Sequence, residues 1–393
     1  MSKQEIKIYS SNVIKKAGKK LIENNQDEES LEILSSWRSE HAYPLEKAVE
    51  LVRSIANEID RNSIIAKRLK RTASIIRKLE RYKDTMKLST MNDIGGCRIV
   101  LSNQKKVNKF IKFLTSSSIF KLRKDYIKEP KKDGYKSVHL IGEFANSEGQ
   151  IRKIELQVRT KIQHSWATAL EIVDLFTQQS IKTNMGDAKW SSFFKHTSHQ
   201  FGLLENNDFI NSNNIKLSYQ KFIKDFREVE SKELNYSMYK VYTLCNELDI
   251  LNKFTLFKDS LNFTSNHLNG TKDNGYILIK IDKIDNSDHS YNVNTSFYNI
   301  DELAIASKDY LETEKATLLG KSYVTALVSI DTIGDIETAY PNYFADSTKF
   351  IEYINILNSA YSLMNHSFFK VSNKIKYMYK DIEEKIQNYK KVK

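Results

Sequence analysis

From Ile151 to Arg159 the chain alternates. Ile154, Leu156 and Val158 fall on one side, and Glu155, Gln157 and Arg159 on the other. A period of two is that of a strand, so one face can bury while the other presents a carboxylate, an amide and a guanidinium. Just upstream lies Lys131-Lys-Asp-Gly-Tyr-Lys-Ser-Val-His139, a basic turn running into a second strand. Gly134 permits the tight turn, Tyr135 offers a ring to a base, and Lys131, Lys132 and Lys136 can meet phosphate. The pair of segments suits a phosphorylated nucleotide held against an aromatic ring. Taken singly, each has a plainer reading: a half-solvated strand, and a hairpin turn with a core tyrosine among the 21 tyrosines of the chain.

Two further groups carry chemistry. Asp93 precedes Gly95-Gly96, with Arg98 at a strand start. Together with Glu155 it can hold Mg²⁺, which takes one or two protein carboxylates and leaves its other positions to water and phosphate oxygens. Asn-Asp before glycine is equally a common cap or turn. Lys70, Ser74, Lys78 and Arg81 step by four, four and three. On a helix that spacing lines four donors along one face, with Arg68 and Arg71 beside it. A triphosphate needs such fixed cations, although charge runs are usually solvated faces. Glu80 is the one carboxylate between Arg61 and Lys83, which weakens the solvated alternative.

The elements that must position these residues follow from periodicity. An amphipathic helix is predicted over 44–60, with Pro44 in its first turn and Leu45, Val49, Val52, Ile55 and Ile59 as its stripe. A second helix is predicted over about 61–87, carrying Ile65, Leu69, Ile76 and Leu79 on its apolar side. A short strand Cys97–Leu101, a helix through Phe113, the basic loop, strands near 135–144 and 151–159, and a helix from Ala167 to Phe176 argue for an α/β or α+β unit, of which α+β is the class expected here. A loop is expected at the Asn- and Asp-rich residues 205–214, then helix to about Leu251. Strands are expected at Tyr276–Asp282, Tyr291–Tyr298 and Tyr323–Asp331, and helix again from about Phe350. The domain expectation is therefore 1–60 helical, 61–250 catalytic, 251–349 β-rich and 350–393 basic helices.

A formal charge of +12 favours an anionic partner. With no apolar run near twenty residues and no leader-like start, no membrane partner is expected and a cytoplasmic location is. Cys97 and Cys245 are the only cysteines, which argues against a disulfide framework or structural zinc. The segment Trp37–His41 is given a packing role only.

Four ordered motifs resemble the synthetase domain of the RelA/SpoT family of alarmone enzymes over about 65–175. They are Arg68-x-Lys70-x-x-x-Ser74-Ile75-x-x-Lys78-x-x-Arg81, Asp93-Ile-x-Gly-x-Arg98, Lys131-x-x-Gly134-Tyr135-x-Ser137-x-His139 and Glu155-x-Gln157-x-Arg159-Thr160. The resemblance implies a mixed sheet flanked by helices, related to nucleotidyltransferases. It implies transfer of the β,γ-pyrophosphate of ATP to a ribose 3′-hydroxyl. Asp93 and Glu155 would hold Mg²⁺, with Glu155 assisting deprotonation of the acceptor. Arg68, Lys70, Ser74, Lys78, Arg81 and Arg98 would bind ATP. Tyr135 would stack on the acceptor base, helped by Lys131, His139 and Gln157. His164 occupies the position, nine residues after Glu155, where the family has Asn or His.

The cysteine-poor β region and Tyr340-Pro-Asn-Tyr343-Phe344 resemble the pseudo-zinc-finger antitoxin domain of the CapRel-type fused toxin–antitoxin group. That likeness implies an autoinhibited enzyme, Tyr340 and Tyr343 covering the adenine site until a phage protein, a major capsid protein, releases it. It also implies the tRNA 3′ end as acceptor. A free guanine or adenine nucleotide acceptor, giving an alarmone, is the alternative, and a non-catalytic basic RNA-binding adaptor is the third. An aromatic turn built on Pro341 is the plain reading of the same motif.

Overall fold

The computed structural model describes residues 7–23, 27–176, 188–206, 232–254, 275–283, 291–318, 324–330 and 348–362. Three helices lead: α1 (Ser11–Ile22), α2 (Glu28–Ser39) and α3 (Ala42–Ile59). Ser10 and Asp27 cap the first two, each side-chain oxygen accepting a backbone N–H of the first turn. A five-stranded mixed sheet follows in the order β1-β2-β5-β4-β3. Its strands are β1 (Ile64–Leu69), β2 (Gly95–Leu101), β3 (Phe120–Asp125), β4 (Val138–Ala145) and β5 (Ile151–Thr160). Only β2 and β5 run parallel; the other pairs are antiparallel. The α+β class and mixed sheet expected from the sequence are present.

The alternation in β5 does what its period dictates. Ile154, Leu156 and Val158 are fully buried against Leu45, Val49 and Val52 of α3 and against Phe110 and Leu114 of α5 (Gln104–Ser116). Each such side chain contributes about 1.5–3 kcal/mol when taken from water, which pins the register and leaves Glu155, Gln157 and Arg159 on the opposite face.

The predicted helix over 61–87 is corrected. Residues 64–69 form β1, and only Thr72–Arg81 is helical, as α4. Ile64 and Ile65, β-branched, pair with Val100 and Ile99 on β2, where the pleated surface suits them better than a helix. Lys70 therefore sits in the connection, not on a helical face with Ser74 and Lys78. The strand β3 lies inside what was read as a basic loop.

Beyond β5, α6 (Lys161–Phe176), α7 (Ala188–Asn206) and α8 (Lys232–Glu247) pack together around Trp166, Phe193, Phe194 and Phe201. Helical residues 348–362 join this same core through Phe350, Tyr353, Ile354 and Leu357. A second sheet, all antiparallel, has the order β7-β6-β8, with β6 (Gly275–Lys283), β7 (Tyr291–Asn299) and β8 (Val324–Ile330). Across it lies α9 (Leu303–Leu318), whose Ala306 and Tyr310 pack with Leu278 and Tyr298. The three strands expected there are present; α9 was not expected. Both cysteines are buried and free.

Candidate active site

One carboxylate organises the first half of the site. Asp93 lies in the loop entering β2, and its Oδ2 accepts from Lys70 Nζ at 3.0 Å and Lys78 Nζ at 2.7 Å. Lys70 is brought there because the β1–β2 ladder runs one bond further, Lys70 N donating to Ile94 O at 2.7 Å. Lys78 comes from the second turn of α4. Arg38 of α2 completes the support: its Nε donates to Lys70 O at 2.8 Å. Burial pushes the Lys70 ammonium pKa down, and Lys78 and Arg68 add to this, while Asp93 pulls the other way. Such a cluster of cations around one acid is an electrostatic deficit that an anionic ligand would relieve.

The second half is a closed ring of hydrogen bonds on β4, β5 and the turn before them. Glu155 Oε1 meets His139 Nδ1 at 3.2 Å, and His139 Nε2 meets the Tyr135 hydroxyl at 2.9 Å. Arg159 Nη2 donates to that hydroxyl at 2.7 Å and to Gln157 Oε1 at 2.8 Å. Gln157 Nε2 donates to Glu155 Oε2 at 2.9 Å, closing the circuit. The sheet register explains the meeting, since His139 lies directly opposite Gln157 and two strand residues from Glu155's partner Ile141, on the same face. Burial alone would raise the Glu155 pKa. The His139 hydrogen bond and charge, the Gln157 amide and the Lys78 charge outweigh it and hold the carboxyl down at about 2. Burial likewise opposes Tyr135 ionisation, but Arg159, His139 and Lys131 bring its hydroxyl down to about 7. His139 is raised: burial lowers it, and Tyr135 and Glu155 more than compensate.

Lys131 lies over the rings of Tyr126 and Tyr135, at 4.8 and 4.5 Å from their centroids. The turn itself is held by Gly134 N to Lys131 O at 2.8 Å and Tyr135 N to Asp133 Oδ1 at 2.9 Å, with Gly134 at φ +96°. Lys136, which the sequence offered to phosphate, points inward instead. Its Nζ donates to Ser198 O of α7 at 3.1 Å.

The other expected residues scatter around these two halves. Arg68 on β1 is half-buried opposite Gly96, itself opposite Glu155. Arg98 on β2 lies opposite Gln157. Burial and the neighbouring Arg159 bring its pKa down to about 10. Ser74 sits one turn before Lys78, Arg81 is exposed at the end of α4, and His164 is buried in the first turn of α6. Tyr340 and Tyr343 lie outside the described residues. Arg38 was missed, and no spacing in the sequence ties it to Lys70.

The donor set fits Mg²⁺. Asp93 Oδ1 is buried and has no hydrogen-bond partner, an acceptor lone pair left for an external donor or a cation. Among the described residues no group of three or more His, Cys, Asp or Glu side chains forms a metal cage. No helix among the described residues is long and apolar enough to cross a membrane.

Comparison with known proteins places residues 67–172 in the region found in RelA/SpoT proteins. The chain is 32% identical over 107 residues to the GTP pyrophosphokinase YjbM of Bacillus subtilis strain 168. The match takes in 26% of this chain and 51% of that protein, so it spans about half the length of the curated relative. Among solved structures, small alarmone synthetase 1 from Bacillus subtilis bound to its product pppGpp is 24% identical. It aligns over 44% of this chain and 93% of its own, with a TM-score of 0.37. A GTP pyrophosphokinase family protein from Streptococcus pneumoniae is 19% identical over 44% of this chain and 88% of its own, with a TM-score of 0.38.

Proposed function

We propose, from the premise that residues 67–172 are a RelA/SpoT region, that the chain is an ATP-dependent pyrophosphokinase. The observation that carries this is the pairing of a cation-rimmed carboxylate, Asp93, with a second carboxylate, Glu155, kept ionised at neutral pH beside an aromatic turn. Lys70, Lys78, Arg68 and Arg98 bind the triphosphate of ATP, with Ser74 and Arg81 at the margin. Tyr135, Lys131, His139 and Gln157 orient the acceptor, and His164 is assigned to the same acceptor set.

In the reaction the acceptor ribose 3′-oxygen forms a bond to the β-phosphorus of ATP while the bond from that phosphorus to the α-phosphate oxygen breaks. AMP leaves. The 3′-hydroxyl proton passes to Glu155, whose hydrogen bonds from His139 and Gln157 fix its oxygens and keep it deprotonated until the acceptor arrives. The Lys70 and Lys78 ammonium groups offset charge on the transferred group. Mg²⁺, held by Asp93 and Glu155, would supply further neutralisation of the phosphate oxygens.

The acceptor we favour is the 3′-terminal adenosine of tRNA, supported by the +12 charge, which suits a polyanion. A free guanine nucleotide is the second reading, favoured by the relative named a GTP pyrophosphokinase. The further reading is a cytoplasmic toxin–antitoxin fusion acting in anti-phage defence. In it, Tyr340 and Tyr343 hold the enzyme off until a phage protein, a major capsid protein, binds. ATP labelled on its γ-phosphate tests the acceptor: offered tRNA and GTP together, the enzyme is expected to label tRNA. Label in a small nucleotide overturns the tRNA reading, and AMP-free ATP breakdown overturns the pyrophosphokinase reading itself.

A further inference from the structure

The turn that carries Tyr135 and Lys131 is a charge-rich connection exposed at Lys131 and Lys132, of the kind that moves unless something ties it down. Here α7 ties it. Ser198 Oγ donates to Gly134 O, and Lys136 Nζ donates to Ser198 O at 3.1 Å, so the turn and α7 exchange bonds in both directions. The approach is as close as backbone allows. A Cβ on Gly134 would stand 2.8 Å from Ser198 Cβ and 3.2 Å from Lys195 Cα. One turn further along α7, a Cβ on Gly202 would stand 2.5 Å from Lys136 Nζ, with no other side chain nearer than Lys136 Cε at 4.0 Å. Gly202 is thus a notch in the helix surface that admits the ammonium.

Two details say that the seat is specific. Lys136 is desolvated there, which lowers its pKa, and the buried Glu205 on the same helix counters that loss. Glu205 is itself held by Gln163 Nε2 at 2.8 Å. In addition, glycine at position 202 weakens a helix otherwise rich in packed aromatics, a cost with no local backbone reason on α7, whose φ at Gly202 is not in the left-handed region.

We propose that α7 is a positioning element for the acceptor turn, with Gly202 the notch that seats Lys136 and so fixes where Tyr135 and Lys131 meet the acceptor. The residue acts through the turn and touches no substrate. This rests on the pyrophosphokinase reading for its kinetic consequence only. The seat itself can be read without catalysis.

The test is Gly202→Ala in the full chain. Alanine favours the helix over glycine, and the atom displaced is the far end of a flexible side chain, so the variant folds and its melting temperature stays level or rises. Acceptor KM is expected to rise roughly tenfold, the effect of losing one charge-assisted hydrogen bond, while KM for ATP stays put. With Lys136→Met already present, Gly202→Ala is expected to add nothing. Amide hydrogen exchange across 131–139 is expected to quicken in Gly202→Ala with β2 and β5 unchanged. An unchanged acceptor KM in an active enzyme overturns the proposal, as does an equal rise in both KM values. If the wild-type enzyme transfers no pyrophosphate, the function fails, and unchanged exchange in 131–139 then decides against the notch separately.

Discussion

The two halves of the site are built on different principles. The Asp93 half is assembled from three separated pieces: the residue after β1, the second turn of α4, and the loop into β2, with Arg38 of α2 bracing it from behind. The Glu155 half comes almost wholly from two neighbouring strands and the turn that leads into them. The first concentrates positive charge around one acid and leaves an oxygen of that acid unpaired. The second satisfies its polar atoms in a circuit, Arg159 Nε and Nη1 excepted. A half poised with excess charge suits a polyphosphate. A half whose groups hold one another rigid suits the orientation of a neutral hydroxyl and a base.

The sharpest way to break that contrast is to remove a group on which both halves act. Glu155 is the base of the ring, and its ionisation is also helped by the Lys78 charge from the other half. Glu155→Gln keeps the shape but removes the charge and turns one of the two acceptor oxygens into a donor, so it cannot accept the proton. The turnover rate is expected to fall by roughly 10³-fold, within the range of a lost general base, with either substrate's KM little changed. A turnover loss below roughly tenfold would mean that the proton goes elsewhere.

A smaller effect sharpens the ring. The low pKa of Glu155 means that its stabilising interactions are complete above the ordinary carboxylate value of 4.5 and are lost as pH falls toward about 2. The raised pKa of His139 works in the other sense: its contribution is present below 6.5 and is lost as pH rises through the folded value. The two share one contact, so they titrate as a pair. In Glu155→Gln with chelator present, the His139 pKa measured by NMR is expected to drop, because only Tyr135 is left to hold it up. No movement would show that the His139–Glu155 bond does not form in solution.

The contrast also explains what could be seen in the sequence. In β5, strict alternation separates Glu155, Gln157 and Arg159 from Ile154, Leu156 and Val158, so both the strand and its polar face were legible. The donor half was not, because Ile65, Leu69, Ile76 and Leu79 recur at a helical spacing that runs unbroken across a strand, a connection and a helix. Only the pairing of Ile64 and Ile65 with β2 tells them apart, and such pairing is non-local. β3 was hidden for a related reason. Its residues 121–124 are exposed and mostly basic, and a register shift between Leu122 and Lys124 spoils the alternation. Lys136 shows the limit for single residues. A lysine in a glycine turn reads as a phosphate ligand, yet its direction is set by a notch on a helix more than sixty residues away.

The central claim, that donor and acceptor are held by separate halves, is tested most directly by one two-substrate measurement. Initial rates of pyrophosphate transfer are recorded with ATP and acceptor both varied, for the wild-type chain, Lys78→Met and Tyr135→Phe. Lys78→Met takes one of two ammonium groups from Asp93 and is expected to raise KM for ATP roughly thirtyfold, leaving KM for the acceptor alone. Tyr135→Phe removes the hydroxyl held by Arg159 and His139 and is expected to raise KM for the acceptor roughly tenfold, leaving KM for ATP alone. If both substitutions raise the same KM, or each raises both together, the site is not divided in this way.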